Sequence, residues 1–211
     1  MNVSPSKENI LKRIRKALSH STSLPFPRSE GNESVFQPPS QELDVEFAEQ
    51  FTKLQGRFVF CINPQELAFQ LNSLVNKMGW KKIFCLENEL TNHSGVQLGG
   101  KLVRSGLADC DASITGCECL VARTGSIVMS SAQLSGRTTS VYAPIHICIA
   151  YTNQLVYDVK DALQLVKDKY GTLIPSLITF ATGPSRTADI EKTLVVGVHG
   201  PREVYLFLVE T

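Results

Sequence analysis

The sequence predicts an α/β protein: a mixed, mostly parallel sheet with helices on both faces, carrying an N-terminal helical arm. Three observations lead there. Residues 57–86 read as strand, helix and strand, and a crossover helix makes two such strands parallel. Short apolar runs then recur at close spacing from Ser113 onward, at about 126–129, 145–150, 177–182, 192–198 and 203–209. One more helical pattern, over 157–170, sits between those runs. The 211 residues divide by composition into a basic helix with a Pro/Ser-rich linker over 1–40 and a single domain over 41–211.

Each element has a local reason. Ile10, Leu11, Ile14 and Leu18 form one apolar stripe on a basic helix over 8–18. So short a helix is marginal in water without tertiary support, and it is expected to dock on the domain, a second copy or a partner. A second helix is expected over 45–54. Asn63-Pro64-Gln65-Glu66 opens the next one: Asn63 caps, Pro64 suits the first helical position and Glu66 the third. Leu67, Leu71, Leu74, Val75 and Met78 make its buried stripe, and Gly79 ends it. Over 157–170, Val159, Leu163, Val166 and Tyr170 share a face, and Gly171 is the stop signal.

Composition removes several functions. With 21 basic and 20 acidic side chains the net charge is +1, which offers no basic field for nucleic acid or anionic lipid. No apolar run approaches the roughly 20 residues that cross a bilayer. Residues 1–20 lack the apolar core of a signal peptide, so a cytoplasmic location is expected, with no membrane partner. Cys61, Cys85 and Cys148 sit in apolar, strand-like runs; Cys110, Cys117 and Cys119 have neither Cys-x-x-Cys nor ferredoxin spacing. All six are expected as packed free thiols, with no metal bound.

Four segments carry chemistry. Residues 182–191, TGPSRTADIE, follow an apolar strand and so lie at its carboxyl end, where open α/β sheets bind ligands. Gly183 lets the backbone approach closely and Pro184 fixes the turn. Ser185 and Thr187 offer hydroxyls, and Arg186 a planar fork for carboxylate or phosphate. Asp189 and Glu191 complete the candidate binding set. The plainer alternative is a helical turn capped by Ser185, Thr187 and Asp189, with Arg186 paired to Asp189 or Glu191. In Gly197-Val198-His199-Gly200-Pro201, two glycines and a proline make a turn that can point His199 into a cleft as acid or base. Thr124-Gly125-Ser126 supplies small donors around a glycine, like an oxyanion cradle, and Glu118 is a carboxylate in the small, apolar stretch GCECLVA. His146, in Pro144-Ile145-His146, starts a strand. It shares a rim with Arg186 only if their strands run antiparallel.

Taken together, TGPSRTADIE, GVHGP, the TGS turn and Pro-x-His resemble the lactate-utilization protein C family, the LUD domain, in order and spacing from about residue 45 to 209. Two departures stand out: Arg123 occupies a place where many members carry an acid, and Ser126 replaces the second Thr of that turn. The resemblance implies a NagB/RpiA/CoA transferase-like fold, shared by CoA transferases, ribose-phosphate isomerases and glucosamine-phosphate deaminases. It also implies a part in oxidising L-lactate to pyruvate alongside two iron–sulfur partner proteins. The residues agree with no cofactor on this chain, since they contain no cluster-binding cysteine run and no Gly-x-Gly-x-x-Gly fingerprint.

Three functions stay open on the residues alone. One is a subunit of a lactate-oxidising assembly, with Arg186 on a small anionic substrate and His199 or His146 moving a proton. Another is a stand-alone transferase, hydrolase or isomerase on a phosphorylated or CoA-linked substrate, with Glu118 as nucleophile or base. The last is a non-catalytic anion-binding module whose N-terminal helix recruits a partner.

Overall fold

The computed structural model describes residues 5–19, 38–92, 96, 98–190 and 193–211. The chain separates into two units, Met1–Pro38 and Pro39–Thr211. In the first, helix α1 spans Pro5–Leu18 and leaves Ile10, Leu11, Ile14 and Leu18 exposed.

The second unit begins with α2 (Leu43–Lys53), β1 (Arg57–Cys61), α3 (Pro64–Met78) and β2 (Ile83–Cys85). The start of α3 is built as its sequence dictates. Asn63 Oδ1 accepts from Glu66 N at 2.8 Å as the cap, and Glu66 Oε2 accepts from Ile62 N, just before the cap, at 2.9 Å. Gly79 closes the helix with φ +68°, a left-handed conformation. Leu67, Leu71 and Val75 are buried and Leu74 partly so, whereas Met78 lies past the edge of the sheet-facing stripe and is exposed.

After α4 (Asn88–Asn92) come β3 (Leu102–Val103), β4 (Ala112–Thr115), β5 (Cys119–Val121), β6 (Ser126–Ser130), α5 (Thr139–Tyr142), β7 (Ile145–Tyr151) and β8 (Leu155–Val156). The chain ends with α6 (Val159–Tyr170), β9 (Ile178–Ala181), β10 (Arg186–Ile190), β11 (Thr193–Val196) and β12 (Glu203–Val209). The expected mixed sheet resolves into two. Six strands in the order β1-β12-β7-β4-β2-β3 pair parallel throughout. The order β8-β5-β6-β9 forms a smaller mixed sheet, and β10-β11 is a separate antiparallel ribbon.

Three apolar layers hold these together. The α3 stripe packs on Ile83, Ile114, Ile147 and Phe207, one face of the large sheet. Its other face, through Cys148, Ala150, Leu206 and Leu208, meets Leu120, Ile127 and Met129 of the small sheet and Phe47 and Phe51 of α2. Being covered on both faces, β7 and β12 read as nearly unbroken apolar runs. Helix α6 covers the outer face of the small sheet through Ala162 and Val166. Leu163, expected in that stripe, is exposed, because the helix face turned to Val121 and Val128 is the one that carries Ala162, Val159 and Leu165. The helix starts at Val159, with Asp158 as its cap.

All six cysteines are buried free thiols. Among the described residues, no helix is long and apolar enough to cross a membrane.

Candidate functional site

The loop 182–185 leaves the carboxyl end of β9, and the loop 197–202 leads into β12. Backbone bonds lace them together: Ser185 N donates to Pro201 O and Gly197 N to Ser185 O, both at 2.9 Å. Contact is tight enough that a Cβ on Gly200 would lie 2.8 Å from the Cβ of Ser185. Arg202 N in turn donates to Pro144 O at 2.7 Å, tying the second loop to the entry of β7.

These ties enclose two adjoining hollows. The inner one, about 310 Å³, lies between the two sheets and is walled by His146, Thr179, Thr182, Ser185 and His199, among others. The outer one, about 480 Å³, is walled by Tyr142, Pro144, Gly197, His199 and Arg202. Val141, His199 and Gly200 belong to both. The inner hollow thus sits at the amino ends of β7 and β12 but at the carboxyl end of β9, so the strand ends bearing His146 and the 182–185 loop coincide.

His146 is 1 % exposed. Its Nε2 lies 2.8 Å from Thr115 Oγ1, and its Nδ1 has no hydrogen-bond partner among the described residues. The same holds for the buried Oγ of Ser113, the register neighbour of His146 on β4. A buried polar atom without a partner costs roughly 1–3 kcal/mol, so such a site favours whatever supplies the missing bond. Burial pushes the imidazole pKa down from 6.5 to about 4, leaving His146 neutral at physiological pH.

The predicted residues divide sharply. His199 lies exposed at the junction of the hollows, with Gly197, Gly200, Gly183, Pro184 and Ser185 in their walls. Gly183 has φ +83°, and a Cβ there would come 2.5 Å from Leu54 O, so only glycine lets this loop rest on the end of α2.

Arg186 lies elsewhere. It lines neither hollow, and its Nη2 donates to Leu54 O at 2.7 Å, capping α2. The expected turn over 186–190 is strand β10, paired antiparallel to β11, so the nest of free N–H groups does not form and no helical turn is capped. β-branched Thr187, Ile190, Thr193, Val195 and Val196 favour that ribbon. Thr187 pairs with Val195; Asp189 lies on β10; Glu191 falls outside the described residues.

The TGS turn is not an open cradle. Gly125 takes φ +60°, and an added Cβ would lie 2.5 Å from Phe51 N, because the turn abuts the backbone of α2. Gly125→Ala should therefore cost about 2 kcal/mol from overpacking and left-handed strain, read as a lowered urea midpoint; an unchanged midpoint would contradict this packing. Thr124 and Ser126 spend their hydroxyls on each other at 2.7 Å, and Ser126 reaches Thr182 at 2.8 Å. Arg123 pairs with the α6 cap: its Nε lies 2.6 Å from Asp158 Oδ2.

Glu118 is likewise structural. Its side chain is fully buried and lines neither hollow; Lys169 Nζ lies 2.7 Å from Oε2, and Ser130 and Tyr170 donate to Oε1. Burial pushes the carboxyl pKa up, but the bonds from Lys169, Ser130 and Tyr170 outweigh it and hold the group below its ordinary range.

Arg202 and Thr115 were not among the residues expected at the site, whereas Thr182 opens the segment 182–191 that was. For Arg202 a signal existed, since it directly follows the GVHGP turn. Thr115 acts across 31 positions of sequence and left none.

Two stacked sheets with a histidine-lined hollow between their edges define an α/β protein with a candidate ligand site. The LUD domain pattern matches residues 77–209, and the chain belongs to the LUD domain family. A lactate utilization protein C of Anoxybacillus flavithermus is 28 % identical over 92 % of this chain and 93 % of that protein. A namesake from Bacillus licheniformis is 38 % identical over 46 % of this chain, a stretch that spans 41 % of the relative's own length. In fold, the chain is similar to the crystal structure of a DUF162 family protein from Deinococcus radiodurans, with a TM-score of 0.62 and 19 % identity over 80 % of this chain and 96 % of that one.

Proposed function

We propose that this protein is a component of lactate utilisation whose paired hollows hold a small organic anion. The observation that carries the reading is the meeting of His146, its Nδ1 without a partner among the described residues, and exposed His199 at one hollow. The end-to-end relative named for lactate utilisation supports the substrate class.

Oxidation of L-lactate to pyruvate removes two electrons and two protons. His199, open to solvent, is the group suited to carry a proton in and out. His146, held neutral, is suited to orient the ligand by a hydrogen bond. The electrons are assigned to iron–sulfur partner proteins. That reading is supported by the cysteine placement, in which Cys61, Cys85, Cys117 and Cys148 are packed into the apolar cores. The buried, ion-paired state of Glu118 disfavours the alternative of a transferase with a Glu nucleophile.

Deleting the gene should stop growth on L-lactate and spare growth on pyruvate. Complementation with His199→Gln should slow growth on lactate at least tenfold relative to wild type, while the variant keeps its thermal midpoint. Normal growth of the deletion strain on L-lactate would dismiss the proposal.

A further inference from the structure

We infer that the outer hollow is an anion-binding subsite in which Arg202 grips the carboxylate or phosphate of a ligand whose uncharged end reaches the inner hollow at His146. The inference rests on the ligand-binding reading above and deepens it by naming the cation and the order of the ligand's parts.

Four observations converge on Arg202. Its stem crosses Gly197 so closely that a Cβ there would lie 2.1 Å from its Cγ, and Gly197 at φ +79° makes room for it. Its own N–H is fixed to Pro144 O, so the side chain springs from an anchored backbone. Among the described residues no hydrogen bond or ion pair engages its guanidinium, which leaves the fork available for bidentate contact. Finally, among the described residues, those walling the two hollows include one arginine and two histidines but no aspartate or glutamate. A wall of that composition draws anions and repels cations.

The depth ordering follows from burial. His146 is enclosed and uncharged, its buried Nδ1 without a partner among the described residues, and Thr182, Ser185 and Met129 line the same hollow with hydroxyls and apolar surface. A charged group driven inward would lose its hydration without a counter-charge, whereas at Arg202 it keeps both solvent and a partner. The ligand therefore enters uncharged end first. Arg186, spent on the end of α2, does not take part.

Isothermal titration of the full chain with L-lactate, pyruvate and inorganic phosphate, used separately, tests this. Arg202→Gln should weaken the anion that binds wild type by at least tenfold and Arg202→Lys by less, with the thermal midpoint kept; Arg186→Gln should stay within twofold of wild type. Preference for phosphate over both carboxylates identifies the anion as a phosphate. Binding that Arg202→Gln leaves unchanged, or no binding of any of the three at 10 mM (about 2.7 kcal/mol of affinity), overturns the subsite. Growth separates the two readings. A lactate defect on deletion that Arg202→Gln fully rescues sinks the subsite alone, and Arg202-dependent binding with no growth defect sinks the lactate reading alone.

Discussion

Lys169→Met is expected to cost about 3 kcal/mol, because it strands the Glu118 carboxylate inside the protein. Glu118 is fully buried and keeps only the Ser130 and Tyr170 hydroxyls once the ammonium is gone. Breaking a buried pair in this way costs roughly 3–5 kcal/mol, and the half-exposed Lys169 side chain argues for the low end. The double replacement Lys169→Met with Glu118→Leu should recover a good part of the loss, since no charge is then left unpaired. Urea unfolding of the two singles and the double measures the coupling. The sign with pH follows from the lowered Glu118 pKa: the stability it gives wild type is present above about pH 4.5 and lost as pH falls through the lower folded value. In Lys169→Met that contribution should shrink. If the double variant is no more stable than Lys169→Met, the pair is not the structural unit described.

The second large effect is a pH-dependence centred on His146. The folded imidazole titrates at about 4 and the unfolded one near 6.5, so the unfolded chain binds an extra proton between those values. Stability should be complete above pH 6.5 and fall by about 3 kcal/mol as pH drops towards 4. Thr115 and Met129, the groups nearest in bonding terms, carry no charge to offset this. His146→Gln should flatten the curve from 6.5 down to about 4.5, leaving only the steeper loss below it where carboxylates protonate. A wild-type curve already flat between 5 and 6.5 would contradict the burial of a neutral imidazole.

How much of this could be read in the chain differs from element to element. The start of α3 was legible because Asn63, Pro64 and Glu66 act within one turn, and strands β7 and β12 because burial on both faces demands unbroken apolar runs. The loops 183–185 and 197–201 announced themselves through glycine and proline. What failed depended on distant partners. β4 and β5 run into one another through Ser, Thr, Gly and Cys without a Pro, Asn or Asp turn to part them, β8 is two residues long, and nothing local says that the strands divide into two sheets. Leu163 outranked Ala162 by hydropathy, yet it is Ala162, with Val159 and Leu165, that packs against β5 and β6. Glu118 looked like a reactive carboxylate because its neutralising partners, Lys169 and Tyr170, lie some fifty residues away. Arg186 was drawn to an anion by its turn-like setting, and the end of α2 claimed it first.

Whether His146 and His199 face one ligand is read by following both imidazole nitrogen resonances by NMR while L-lactate is added. The two sets of signals should shift together along a single binding curve, and Arg202→Gln should move that curve to higher concentration. Signals from His199 that shift while His146 stays still, or no shift in either, would contradict a shared ligand.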